Sequence, residues 1–125
     1  MHRRAFVAGA PLVFASLARA QSVAEFYRGK TIDLHVGYTP GGGYDAYSRL
    51  FARHMPKYLP GNPNVVVQNM PGADGMTALN HFTRQAKPDG LTFVVGSATR
   101  VDPVFYRTAN ISFDVTKFQY AGGAT

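Results

Sequence analysis

The sequence predicts an α/β fold, a mostly parallel sheet with flanking helices. Short β-branched stretches alternate three times with stretches whose apolar residues recur every three or four positions. Each predicted strand runs into a loop before the next helix, and two of those three loops are rich in glycine. The composition, 46% hydrophobic and 16% charged over 125 residues, supports one packed core and excludes a disordered chain. Strand–helix alternation implies right-handed crossovers and therefore parallel strands.

The first strand is Thr31 to Gly37, where branched or apolar residues alternate with polar ones until glycine stops the pattern. Tyr38 to Gly43 is a Pro/Gly loop. From Tyr44 the spacing becomes helical, with Tyr47, Leu50, Phe51, Met55, Tyr58 and Leu59 on one face and Tyr47 expected in the core. Pro56 should end or kink that helix near Met55, and Pro60-Gly61-Asn62-Pro63 forces a turn. Asn64 to Asn69 is a second, β-branched strand, followed by the glycine loop Pro71–Gly75. Met76 to Ala86 is a helix with Ala78, Leu79 and Phe82 on one face. Lys87-Pro88-Asp89-Gly90 is a turn, and Leu91 to Gly96 the third strand. Val101 to Tyr106 reads as a short helix, and Gln119 to Gly122 as the start of a further strand.

Ahead of this pattern, His2-Arg3-Arg4 is a basic start and Ala5 to Leu17 is apolar apart from Ser16, Gly9 and Pro11. Ala18-Arg19-Ala20 supplies small residues at the two positions a signal peptidase reads. Residues 1–20 are therefore expected to be a signal peptide cleaved after Ala20, with an exported product. Arg3-Arg4-Ala5-Phe6-Val7 fits a twin-arginine export signal, and a Sec signal fits equally. The whole chain carries thirteen basic and seven acidic residues, and removing Arg3, Arg4 and Arg19 leaves ten against seven. The remaining basic residues are scattered, so nucleic acid is not an expected partner. With no cysteine, disulfides, thiolate metal sites and thiol nucleophiles are excluded.

In a parallel sheet, ligands sit outside the carboxyl ends of the strands. The loops there are Tyr38–Gly43, Met70–Gly75 and Ser97–Arg100. Gly41-Gly42-Gly43 ahead of a helix offers backbone N–H groups at the positive end of the helix dipole, suited to a carboxylate or phosphate. A plain strand-to-helix turn is the competing reading. Asp45 in the first helical turn is expected to cap loop N–H groups rather than touch an anion directly. Tyr38 and Tyr44 flank the loop.

Sharper motifs fail. A P-loop needs Lys and Ser/Thr after its last glycine, and Tyr44 follows Gly43. Gly41, Gly43 and Ala46 satisfy a G-x-G-x-x-A dinucleotide pattern, but the second strand ends at Asn69 instead of an acidic residue. Ser97 lacks the second glycine of a nucleophile elbow. His35, His54 and His81 have no metal-ligand spacing and read as surface or half-buried residues, and no carboxylate pair stands out. Neither an enzyme, nor a metal, nor a cofactor is expected. The alternative is a nucleotide-binding enzyme domain using the Gly41–Ala46 turn.

Ala24-Glu25-Phe26-Tyr27-x-Gly29-Lys30-Thr31-Ile32 and Val36-Gly37-Tyr38-Thr39-Pro40-Gly41-Gly42-Gly43-Tyr44-Asp45 resemble the Bug (TctC-like) family. Members of that family are periplasmic substrate-binding proteins associated with tripartite tricarboxylate transporters. Ala52-Arg53-His54, Pro60-Gly61-Asn62-Pro63, Gln68-Asn69-x-Pro71-Gly72-Ala73-x-Gly75 and Lys87-Pro88-Asp89-Gly90 extend the resemblance in the same order.

The resemblance implies a type II periplasmic-binding-protein fold, in which two α/β lobes close like a flytrap over a small ligand. It implies that Tyr38, Thr39, Pro40, Gly41, Gly42 and Gly43 help hold a ligand carboxylate, with Asp45 as the family's aspartate after the loop. Gly72, Ala73 and Gly75 map onto the second loop, and Ser97, Ala98 and Thr99 onto the third. Asp74 stands where the family commonly has glycine. The implied partners are a small carboxylate and membrane transporter subunits, with a monomer expected at full length. Family members run well past this length, so residues 21–125 are expected to be the first lobe only, incomplete and without the second. An N-terminal fragment and a truncated gene both fit, and a remnant that binds nothing is a further alternative, because its sheet would end in an unpaired edge.

Overall fold

A computed structural model of the chain describes residues 22–97, 111 and 113–123. The signal peptide expected over residues 1–20, Ala98, Thr99 and the helix expected over Val101–Tyr106 lie outside the described residues.

The first element is a short helix that the sequence reading did not anticipate, α1 (Val23–Tyr27). Its start is a reciprocal cap. Ser22 Oγ accepts from the Glu25 amide at 3.2 Å, and a Glu25 carboxylate oxygen accepts from the Ser22 amide at 3.0 Å. The chain then forms β1 (Thr31–Val36), α2 (Gly43–His54), β2 (Asn64–Asn69), α3 (Met76–Gln85) and β3 (Thr92–Val95). A 3₁₀ turn over Met55–Tyr58 ends α2 where Pro56 was expected to stop it.

The three strands form one parallel sheet in the order β2-β1-β3. Val36 pairs with Asn69 and with Val95, so all three strands finish level and their loops leave one edge together. Central β1 is buried on both faces, with Ile32, Leu34 and Val36 on one side and His35 on the other. Strand residues alternate between faces. Asn69 bonds to α2, whereas His35, in register with Gln68, lies against His81 of α3. The two helices therefore cover opposite faces of the sheet. Met76, Ala78 and Leu79 complete the described core from α3.

Two expectations are corrected. The aromatic and aliphatic face of α2 does not pack on the sheet: Tyr47 is 71% exposed, and Leu50 and Phe51 also lie open. The helix turns Asp45 and Ser48 inward instead. At 100° per residue, positions 45, 48 and 52 lie opposite 47, 50, 51 and 54. The bonds from Asp45 to the sheet's edge set the rotation of α2, and its apolar stripe follows outward.

Gln119 to Gly122 forms no strand. Instead Asp114 caps a 3₁₀ turn over Val115–Lys117, accepting from the Thr116 amide at 3.0 Å. Phe118 stacks on Phe113 and meets Phe82 of α3 edge-on, with centroids 5.4 and 5.9 Å away. Among the described residues no helix is long and apolar enough to cross a membrane.

Candidate functional site

Helix α2 begins at the carboxyl edge of the sheet with Gly42 as its N-cap. Glycine has no side chain to cap the first turn, so the amides of Gly43 and Tyr44 keep the open, positive end of the helix. Gly42 donates to the Thr39 carbonyl at 3.5 Å, which closes the loop into a turn. Thr39, Pro40, Gly41 and Gly43 are exposed along its rim.

Asp45 does what the sequence suggested. Its Oδ2 accepts the Gly41 amide at 2.8 Å. The same oxygen accepts Arg49 Nε at 2.9 Å, and Oδ1 accepts Asn69 Nδ2 at 2.8 Å. The carboxylate is only 4% exposed and fully engaged. The Arg49 guanidinium above all, then the Gly41 amide and Asn69, hold its pKa far below the usual carboxylate range. Asp45 thus stays ionised, and Arg49 balances its charge beside the loop.

Tyr38 is half-buried, and its ring stacks on Tyr44 with centroids 4.1 Å apart and planes within 11°. Gly75 also lies near the Tyr38 ring, where a Cβ would come within 3.4 Å of the hydroxyl. The second loop therefore lies against the first. In it, Gly72 accepts from Gly75 at 3.0 Å, while Ala73 and Asp74 are both left-handed, at φ 45° and 52°. Gly72, Ala73 and Asp74 are exposed and Gly75 is buried as the N-cap of α3. Ser97, half-buried two residues after β3, is at the same sheet edge.

Of the three histidines, His54 is exposed and His81 half-buried as expected, and His35 alone departs by being buried. His35 is 7% exposed, its Nδ1 has no hydrogen-bond partner, and its ring is 5.3 Å from that of His81. Burial lowers its pKa, the neighbouring His81 lowers it further, and Asp33 opposes both. Among the described residues no three acidic or imidazole side chains converge on a metal position.

Comparison with known proteins shows the family to which the chain belongs. Over 98 residues the chain is 38% identical to the UPF0065 protein in the gbd 5' region of Cupriavidus necator, covering 74% of this chain and 29% of that protein. Over 105 residues it is 33% identical to a UPF0065 protein of Bordetella pertussis strain Tohama I, covering 82% and 31%. The protein BugT of the same strain is 34% identical over 99 residues, covering 79% and 29%. The chain belongs to the Bug family. No family model matches it. It spans a little under a third of the length of these curated relatives, whose matched portions are 29–31% of each.

Two residues of the candidate site escaped the sequence reading. Asn69 drew attention as the end of the second strand, as a missing acid and as part of the Gln68-Asn69-x-Pro71 motif, but not as a bonding partner. Yet its carboxamide donates to Asp45 and, at 3.1 Å, to the Tyr38 carbonyl. Arg49 donates to Asn69 Oδ1 at 3.1 Å. The i,i+4 spacing of Asp45 and Arg49 was the one available signal. Two surface grooves lie beside the site, and the second shares Arg49 with it. One follows Met70, Thr77, Asn80, His81 and Arg84 along α3, and the other runs between α2 and β2 past Arg49, Arg53 and Val67.

Proposed function

We propose that this Bug-family polypeptide supplies one wall of a binding site for a small carboxylated solute. The observation that carries the reading is the uncapped start of α2 at the edge where three strand-end loops emerge side by side. A carboxylate there meets the amides of Gly43 and Tyr44, while Asp45, neutralised by Arg49, does not repel it. Tyr38 and Tyr44 form a rigid flank. The reading extends to a periplasmic product released from the leader at 1–20, handing its solute to membrane transporter subunits. It is a reading of binding, without catalysis.

The test is thermal unfolding of the chain from Gln21 with citrate, succinate, glutamate and benzoate. A native-state ligand raises the midpoint with the logarithm of its concentration. A saturable shift with one acid supports the reading. A cooperative transition that none of them moves, in this chain and in a full-length relative alike, overturns it.

A further inference from the structure

We propose that Asn69 is a positioning residue that fastens the two glycine loops into one unit and fixes which amides face the ligand. The role as a binding determinant rests on the carboxylate reading above; the positioning itself does not. Asn69 is the last residue of β2, so its backbone leads directly into Met70–Gly75. Its carboxamide reaches the other way and uses three bonds on the first loop and its helix. Nδ2 donates to the Tyr38 carbonyl and to Asp45 Oδ1, and Oδ1 accepts from Arg49. Both ends of the first loop are thereby held by one side chain. Tyr38 is held directly, and Gly41 is held through the other oxygen of Asp45.

The consequence is selective. Because Asp45 consumes the Gly41 amide and Thr39 takes that of Gly42, the amides left without an acceptor are those of the first helical turn. These are Gly43, Tyr44 and Asp45, up to the first intrahelical bond from Ala46 to Gly42. Fixing Tyr38 also fixes the ring that stacks on Tyr44 and lies against Gly75. Such a site meets its ligand already ordered, which spares binding the entropy of arranging two loops. Only an amide at this position can donate to two acceptors while accepting from arginine; aspartate keeps the second ability and loses the first.

Amide NMR of the ¹⁵N-labelled chain tests this, with citrate as the probe anion. In the unmodified chain the Asn69 carboxamide protons should exchange at least tenfold more slowly than those of exposed Asn62 and Asn64. In Asn69→Ala and Asn69→Asp the Gly41, Gly43 and Tyr44 amides should move while Ile32 and Leu34 keep their positions. In Asn69→Asp the new carboxyl faces Asp45 and Arg49 of α2 and the Tyr38 carbonyl. Two carboxyls that close retain a shared proton at raised pH, and that proton restores one donation to Asp45. Its spectrum should therefore return toward the parent between pH 7 and pH 5, a recovery that a merely space-filling role would not show. Where citrate binds the parent, both variants should weaken it at least tenfold at pH 7. Absence of citrate binding in the parent counts against the carboxylate reading, while the loop amides still decide the positioning. Unmoved loop amides, equal displacement at both pH values, or a freely exchanging Asn69 carboxamide in the parent overturns the inference. If Asn69→Ala does not fold, Asn69→Asp and the carboxamide exchange decide it.

Discussion

A Cβ placed on Gly37 would stand 2.7 Å from the Cα of Gly75, so the end of β1 and the start of α3 touch backbone to backbone. Nothing larger than hydrogen fits between them. This contact brings the second loop against Tyr38 and sets the width of the candidate site at its base.

Replacing Gly37 with alanine should therefore push the second loop away from β1. Inserting one methyl into packed backbone costs about 1–3 kcal/mol. The expected result is an unfolding free energy lower by that amount in urea titration, together with changed tyrosine near-ultraviolet dichroism as the Tyr38–Tyr44 stack shifts. An unchanged midpoint would show that α3 can slide freely on the sheet.

Gly42 is the opposite case. Its φ and ψ of −80° and 174° suit any residue, and a Cβ there would meet only the Thr39 carbonyl, at 3.6 Å. Gly42→Val should fold with an unfolding free energy within about 0.5 kcal/mol of the parent, in the range of ordinary surface changes. Its branched side chain would crowd the open helix end and abolish the response to any carboxylate that stabilises the parent. Retained affinity would remove the Gly43 and Tyr44 amides from the site.

Asp74 occupies a left-handed position, φ 52° and ψ 48°, that glycine adopts without steric cost. Asp74→Gly should stabilise the chain by about 1 kcal/mol, the typical penalty of that conformation for an L-residue. It also removes a negative charge from the exposed second loop, so anion affinity should rise and its salt dependence weaken. Chemical denaturation and citrate titration at two ionic strengths check both.

His35 makes stability depend on pH. Its folded pKa lies below the ordinary value of 6.5, so the unfolded chain binds more protons between the two. Stability conferred by the neutral buried ring is complete above pH 6.5 and falls as the pH drops through that window toward the folded value. His35→Leu removes both the titration and the unpartnered Nδ1, and should flatten the urea midpoint between pH 7 and pH 5. The same slope in parent and variant would assign the effect to other groups.

The strands and their order of appearance were legible because β-branched runs and Gly/Pro breaks are local signals. Asn64–Asn69 matched the expected strand residue for residue, and α3 differed only at Ala86. The glycine loops and the capping role of Asp45 were legible for the same reason. Helix α1 was missed because a five-residue capped turn has too little periodicity to register. Asn69 was missed because its meaning depends on three partners, at positions 38, 45 and 49, none of them beside it in the chain.

The sequence by itself determined the alternating elements, the parallel sheet and the edge at which its loops emerge. Tertiary structure alone decided how α2 is turned, and that outcome ran against its hydrophobic stripe. A helix on a sheet has one rotational freedom, and apolar burial is non-directional, whereas hydrogen bonds demand specific atoms. The bonds from Asp45 to Gly41 and Asn69 admit one rotation, which carries Tyr47, Leu50 and Phe51 outward. The same three-dimensional closure brought His35 to His81 and Gly37 to Gly75, pairs separated in the chain by both α2 and β2 and joined only by the fold.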